Sequence, residues 1–310
     1  MWDVTGWVIN NMNREFELFH PFVNFYYFVS VIVFTMFFMH PVFLIISLLS
    51  SFIYSVILNG RKAVKFNILY MIPLLMVTSV INPLFSHQGV TILGYFNTGN
   101  PITLESIIYG ISSAMMFISV IFWFSCYNAI MSSDKFIYLF GKIIPALSLI
   151  FSMVLRFVPR YKAQIKVISN SQRCIGRDIS NGNIIERIKN GMKILSIMMT
   201  WALENSIETA DSMKSRGYGL RGRTSFSNYK FERRDKYTLG IMMSLTVVVI
   251  IGAINGENSI VFFPMIKTNS VSLFSIIVYL SYFLLCITPV LIEVMENIKW
   301  KNIYNEMVEV

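Results

Sequence analysis

Charge is scarce in this 310-residue sequence: 14% of residues are Asp, Glu, Lys or Arg, against 55% hydrophobic and 15% aromatic. With a mean hydropathy of +0.60, that composition excludes an ordinary soluble domain and places the chain among polytopic membrane proteins, for which the bilayer is a solvent. Cysteine is scarce too. Cys126, Cys174 and Cys286 are far apart and show no C-x-x-C spacing, so neither a disulfide framework nor a zinc site is indicated; Cys126 and Cys286 sit in apolar runs and read as buried thiols. His20, His40 and His87 are too scattered for an obvious metal site, and there is no H-E-x-x-H. The nearest approach to a phosphate-binding loop, Gly94-x4-Gly99, continues with Asn100-Pro101 instead of Lys-Ser/Thr, which excludes an ATP site there. Glu105 and Glu293 fall near the ends of apolar runs, where they are expected to reach water, so no proton relay is legible. Asp3, Glu15 and Glu17 precede the first apolar run without a small-residue cleavage site, which argues against a removable signal peptide and for insertion of the whole sequence.

The charge that is present is concentrated. From Arg156 to Asp235 there are 16 Lys and Arg against 7 Asp and Glu, leaving ten of each sign elsewhere, so one internal segment carries the entire net charge of +9. Around it the apolar runs divide into membrane spans. The run from Phe22 to Leu58 is nearly twice the ~20 residues that one crossing helix needs. His40-Pro41 lies at its middle, predicting two spans with a tight reversal. Asn59-Gly60 ends the second, and Arg61, Lys62 and Lys65 mark a cytoplasmic loop by the positive-inside rule. A third span is expected over Phe66 to Phe85, with Pro73 and Pro83 as kinks or ends. The loop from Ser86 to Leu104 has no Lys or Arg and is expected outside. Thr103 caps a fourth span that runs to about Ile130, in which Gly110 and Ala114 are either a small-xxx-small seam or tolerated small residues. Two further spans are expected over Tyr237–Ile254 and Val271–Ile292, with Lys299 and Lys301 returning the chain to the cytoplasm.

Between them the pattern changes. Lys135 to Val158 is apolar but interrupted by Gly141, Lys142 and Pro145, and is expected to lie in the cytoplasmic interface or to dip in and back. From Pro159 an amphipathic helix carries Tyr161, Ile165 and Ile168 on one face and ends near Gln172-Arg-Cys-Ile-Gly176; Asn181-Gly-Asn183 makes a turn; a second helix runs from Ile184 to about Arg216. The resulting organisation is an all-α polytopic membrane protein of about six spans. It has an N-terminal membrane region over residues 1–130, a domain of long amphipathic cytoplasmic helices over 131–236, and a C-terminal membrane region over 237–310. Both helices end in an arginine-and-glycine pattern, Gln172-Arg-Cys-Ile-Gly-Arg177 and Met213-Lys-Ser-Arg-Gly-Tyr218, the second extending through Gly219, Arg221, Gly222 and Arg223. One such end is a helix stop; two in one basic domain suggest a docking surface for an acidic partner groove. The apolar runs Ile194–Leu203 and 143–155 offer a second surface, for a membrane partner or for packing within the chain.

Spans, basic helical domain and final spans in this order, with Leu155-Arg-Phe-Val-Pro159 leading to Gln172-Arg-Cys-Ile-Gly176 and then Ala210-x-x-Met-x-Ser-Arg-Gly-Tyr218, resemble the transmembrane coupling (T) component of energy-coupling factor (ECF) ABC importers. The resemblance covers essentially the whole chain. It implies no catalytic residues and no cofactor on this chain, with ATP and Mg on two partner ATPases. A separate small S component would bind the vitamin or metal ion, and the termini and coupling domain would be cytoplasmic. It also implies that X-Arg-Gly motifs at the helix tips dock the ATPases: Ser215, Arg216 and Gly217 match fully, whereas Cys174-Ile175-Gly176 has isoleucine in place of arginine, flanked by Arg173 and Arg177. A missing guanidinium removes charge-assisted contacts of about 1.5–3 kcal/mol each; Arg173 or Arg177 could substitute for it, and unequal docking is expected, firmer at Arg216. Candidate residues facing the S component are Ile194, Leu195, Met198, Met199 and Leu203, with Leu147 and Phe151. From other classes, a membrane-embedded enzyme would require convergent polar residues within the spans, and an anchor binding anionic lipid by charge alone would tolerate moving the arginines about.

Overall fold

In the computed structural model, residues 15–86, 88–95, 101–141, 144–177, 183–218, 220, 229–268 and 272–308 are described. A 3-10 turn at Glu15–Leu18 leads into α1 (Pro21–Phe37), then α2 (Pro41–Phe66), a π turn at Asn67–Met71, α3 (Ile72–Phe85), α4 (Leu104–Ile130), α5 (Ser133–Gly141), α6 (Pro145–Cys174), α7 (Ile184–Ser215), α8 (Arg233–Ile254) and α9 (Leu273–Val308). Two short antiparallel ladders, β1 (Ile92–Tyr95) with β2 (Pro101–Thr103) and β3 (Ile260–Val261) with β4 (Lys267–Thr268), decorate the loops before α4 and α9. The fold is all-α in architecture. Pro41–Gly60, Asn67–Phe85, Leu104–Ile130, Arg233–Ile254 and Leu273–Trp300 are long and apolar enough to cross a membrane, while α1 is apolar but only 17 residues long. The sixth expected span is this shorter helix.

Local chemistry explains the boundaries. Pro21 and Pro41 open α1 and α2, where a missing N–H is no loss. Gly60 breaks α2 with φ 60 and ψ −145, where the sequence ends the second span. Thr103 caps α4 by accepting a bond from the Ser106 N–H (3.4 Å) while donating to the Gln88 carbonyl (2.7 Å). Pro83 stays within α3, and Gly110 of α4 lies against it: a Cβ at Gly110 would sit 2.5 Å from the Ser79 carbonyl oxygen and 3.2 Å from Pro83 Cδ. With Ala114 fully buried one turn on, the pair is a close-approach seam.

The chain divides into two compact units, Met1–Lys135 with Tyr229–Val310, and Phe136–Asn228. The first has an aromatic core in which Phe16, Tyr27, Phe28, Trp123 and Tyr282 are all buried. Along α1, Val23, Tyr27, Val31 and Phe34 face this core while Phe22, Val29, Val33 and Met36 are exposed. A helix apolar on both faces is one whose solvent is lipid. Polar bonds thread the core. The Thr35 hydroxyl donates to the Val31 carbonyl (2.8 Å), which leaves its oxygen to accept from Ser47 (2.7 Å) and Tyr282 (3.1 Å). Trp123 Nε1 in turn donates to Ser47 (2.9 Å), so one hydroxyl cluster ties α1, α2, α4 and α9 together.

Three expectations change. The second unit has no break at Pro159: α6 is one 30-residue helix that starts at Pro145 and carries Pro159 inside it. The pyrrolidine removes one backbone N–H donor there without ending the helix. Glu105 does not reach water: it is 2% exposed and its carboxylate accepts bonds from the Thr91 N–H (3.2 Å) and hydroxyl (2.8 Å). Glu293 is fully buried on α9, because that helix continues to Val308 and places it well inside the packed unit.

Candidate functional site

The second unit is built around one helix pair. Asn183 opens α7 with a capping box in which the Asn183 N–H donates to the Glu186 carboxylate (3.4 Å). Where α6 and α7 meet, Ile168 is buried in one cluster with Ile194 and Met198, bordered by Tyr161, Ile197 and Trp201. The Tyr161 and Trp201 rings meet edge-on (5.6 Å, 75°), and the Arg160 guanidinium lies 5.5 Å over the Trp201 ring. Advancing along α6 from residue 161 to 168 retreats along α7 from 201 to 194, so the helices are antiparallel. Their C-terminal tips therefore leave the seam at opposite ends, and α7, with 32 residues, is about 48 Å long.

Both tips are the same backbone structure. After α6, the Gly176 N–H donates to the Arg173 carbonyl (3.0 Å) and the Arg177 N–H to the Gln172 carbonyl (3.0 Å). After α7, the Gly217 N–H donates to Lys214 (2.9 Å) and the Tyr218 N–H to Met213 (3.0 Å). This is the paired bond set of a Schellman cap. It requires a left-handed residue, supplied by Gly176 (φ 79) and Gly217 (φ 75). The residues before the glycines also match, Ile175 at φ −93, ψ 11 and Arg216 at φ −82, ψ 8.

The shared geometry aligns the tips position by position: Arg173 with Lys214, Cys174 with Ser215, Ile175 with Arg216, and Arg177 with Tyr218. Neither Arg173 nor Arg177 occupies the place of Arg216. All of these residues are exposed, while Gly176 is exposed and Gly217 partly buried. The Ser215 hydroxyl turns back to donate to the Ser212 carbonyl (2.9 Å). Gly219, Arg221, Gly222 and Arg223 lie outside the described residues.

The apolar candidates separate into two sets. Ile194 and Met198 are 5% and 6% exposed, so they belong to the α6–α7 seam and offer no free surface in this fold. Leu195, Met199 and Leu203 are exposed and continue a row begun by Ile188 and Met192, and Phe151 of α6 is also exposed. Successive residues on a helix stand about 100° apart, so the run from Ile194 to Leu203 cannot all face one neighbour. The Leu147 side chain lies outside the described residues. Sequence periodicity alone missed Trp201 and Arg160 as parts of the seam; an aromatic in the middle of α7's apolar run, with an arginine next to Tyr161 on its partner, was the available signal. Among the described residues, no group of three or more His, Cys, Asp or Glu side chains is placed to hold a metal ion.

Apolar membrane-length helices, joined to a basic antiparallel helix pair with two matched tips, define an all-α multi-pass membrane protein. Residues 19–226 match the model of the cobalt transport protein family CbiQ. The chain belongs to this family. It is also similar to proteins named energy-coupling factor transporter transmembrane protein EcfT. That of Lactococcus lactis is 31% identical over 106 residues, 34% of this chain and 40% of the relative; that of Staphylococcus aureus is 32% identical over 106 residues, again 34% and 40%. That of Macrococcus caseolyticus is 26% identical over 212 residues, 65% of this chain and 77% of the relative. The chain thus spans about two fifths of the length of the first two relatives. The resemblance to ECF T components agrees with these relatives.

Proposed function

We propose that this chain is the transmembrane coupling subunit of an ECF-type ABC importer. Two cytoplasmic ATPases, which hold ATP and Mg, dock on the tips at Ile175 and Arg216. A membrane-embedded S component binds the vitamin or metal ion and packs against the apolar row Leu195, Met199 and Leu203 and against Phe151. The termini and the helix pair lie in the cytoplasm, as the Lys and Arg excess of residues 156–235 favours.

The observation that carries the reading is the pair of superposable glycine caps at opposite ends of antiparallel helices. A single cap only ends a helix. Two matched caps carrying exposed side chains, on levers held at one aromatic and apolar seam, give two motors separate points of purchase and a rigid path between them. Closure of the ATPase pair would move the tips, the helices would turn about the Tyr161–Trp201 contact, and their exposed apolar rows would move the S component.

The test is a mild-detergent pull-down of the tagged chain from its own cells, wild type beside Arg216→Glu. Two ATPases and a small membrane protein should accompany the wild type, with ATPase recovery falling at least ~10-fold for the variant, as expected when a charge-assisted contact becomes a like-charge repulsion. A variant that keeps every partner, or a wild type without ATPases, overturns the reading.

A further inference from the structure

The two tips share one backbone but not one chemistry, and the difference sits at a single aligned position. Where the α7 tip presents Arg216, the α6 tip presents Ile175 with nearly the same φ and ψ. Ile175 is 67% exposed. The cap makes no demand for it, since both closing bonds are between backbone groups and the left-handed residue is Gly176. Its side chain packs into no described apolar cluster.

We propose that Ile175 is the specificity-determining residue of the first tip and seats in an apolar socket on its ATPase, in contrast to a groove of hydrogen-bond acceptors for Arg216. This inference rests on the docking function proposed above. The two sockets exclude each other's occupant. A guanidinium in an apolar socket loses its water without gaining acceptors, and an isoleucine in an acidic groove strands desolvated carboxylates. Arg173 and Arg177 are exposed two positions to either side of Ile175 and would supply the polar rim that borders an apolar anchor in such an interface. The α6 tip is therefore not a weakened copy of the α7 tip but a second kind of plug.

Nature supplies the probe. Cys174 is an exposed thiol, whereas Cys126 and Cys286 are buried, so a benzophenone-maleimide labels the α6 tip selectively. The aligned position on the other tip is reached with Ser215→Cys in a Cys174→Ser background. Photocrosslinking is done on the whole complex in native membranes, with the ATPase segments identified by mass spectrometry. The Cys174 probe should capture an ATPase segment rich in apolar side chains, and the probe placed by Ser215→Cys an acceptor-rich one. Ile175→Leu should keep the first crosslink, while Ile175→Asp and Ile175→Arg should each lower it about 10-fold or more and leave the second unchanged. Because the residue is exposed and the cap bonds are backbone bonds, these variants are expected to fold.

An Ile175→Arg chain that crosslinks more strongly than wild type would show a degraded arginine tip and overturn the proposal. So would an Ile175→Asp chain that crosslinks normally. An ATPase captured from Ser215→Cys but never from Cys174 removes this inference alone; capture from neither position removes the docking function with it.

Discussion

At the scale of single residues, the Ser47 hydroxyl bears more than its size suggests, because it accepts from Trp123 Nε1 and donates to Thr35 in a buried core. Ser47→Ala leaves the indole N–H without that acceptor. We expect a loss of about 1 kcal/mol, read as a lowered Tm of the detergent-solubilised protein, with Trp123→Phe in the same background costing less than it does alone. Lys135 offers a different reading. It is 5% exposed and its ammonium donates to the carbonyls of Ile130 (3.0 Å) and Glu17, and burial lowers its pKa, with the Glu17 charge opposing. The folded chain therefore releases this proton at a lower pH than the unfolded chain does. Stability from this group rises with pH through the interval between the lowered folded value and the ordinary lysine value of about 10.4. The Tm difference between wild type and Lys135→Met should accordingly shift in favour of wild type between neutral pH and about pH 10; a constant difference would show that the group does not titrate in that interval. Neither residue was legible from sequence. A serine in an apolar run and a lysine after one look alike whether they bond inward or reach water.

At the scale of elements, helix approach depends on what the seams exclude. Gly110 gives α3 and α4 their contact, since an added Cβ would meet the Ser79 carbonyl oxygen at 2.5 Å. Gly110→Ala should cost about 1–3 kcal/mol by overpacking, and Gly110→Leu should abolish monodisperse purification, checked by size-exclusion profile and Tm. Sequence left this glycine with two readings, and only the backbone opposite it decided between them. The α6–α7 seam makes a complementary prediction. Trp201→Ala removes the ring that faces Tyr161 and Arg160 and should cost about 2 kcal/mol locally. Hydrogen exchange should accelerate over residues 158–168 and 194–202, and in a reconstituted transporter ATP hydrolysis should continue with transport reduced. A mutant with full transport would show that the seam is not the pivot.

At the scale of the whole molecule, composition, span placement and the two helix ends were readable before any coordinate. Apolar runs of crossing length, prolines at their junctions, a basic interior segment and glycines after two long helices each follow from local rules that a one-dimensional pattern records. The reversal at His40-Pro41, the Thr103 cap, and the ends of α6 at Cys174 and of α7 at Ser215 all fall where those rules placed them. What depended on tertiary structure was which side of each helix meets which neighbour. Ile194 and Met198 turned inward while Leu195 and Met199 stayed outside, although all four are apolar, because burial on a helix is decided by azimuth and by the partner's position. Glu293 is buried for the same reason: its distance from a span's end in sequence says nothing about the helices packed around it. The equivalence of Ile175 with Arg216 also required three dimensions, since a letter comparison allows Arg173 or Arg177 to stand in, and only the bond pattern of the two caps assigns each residue its place. Sequence by itself determined the solvent, the elements and their ends, which are set by local backbone chemistry and transfer free energy. The tertiary fold decided facing, burial and correspondence, which are set by contacts between residues far apart in the chain.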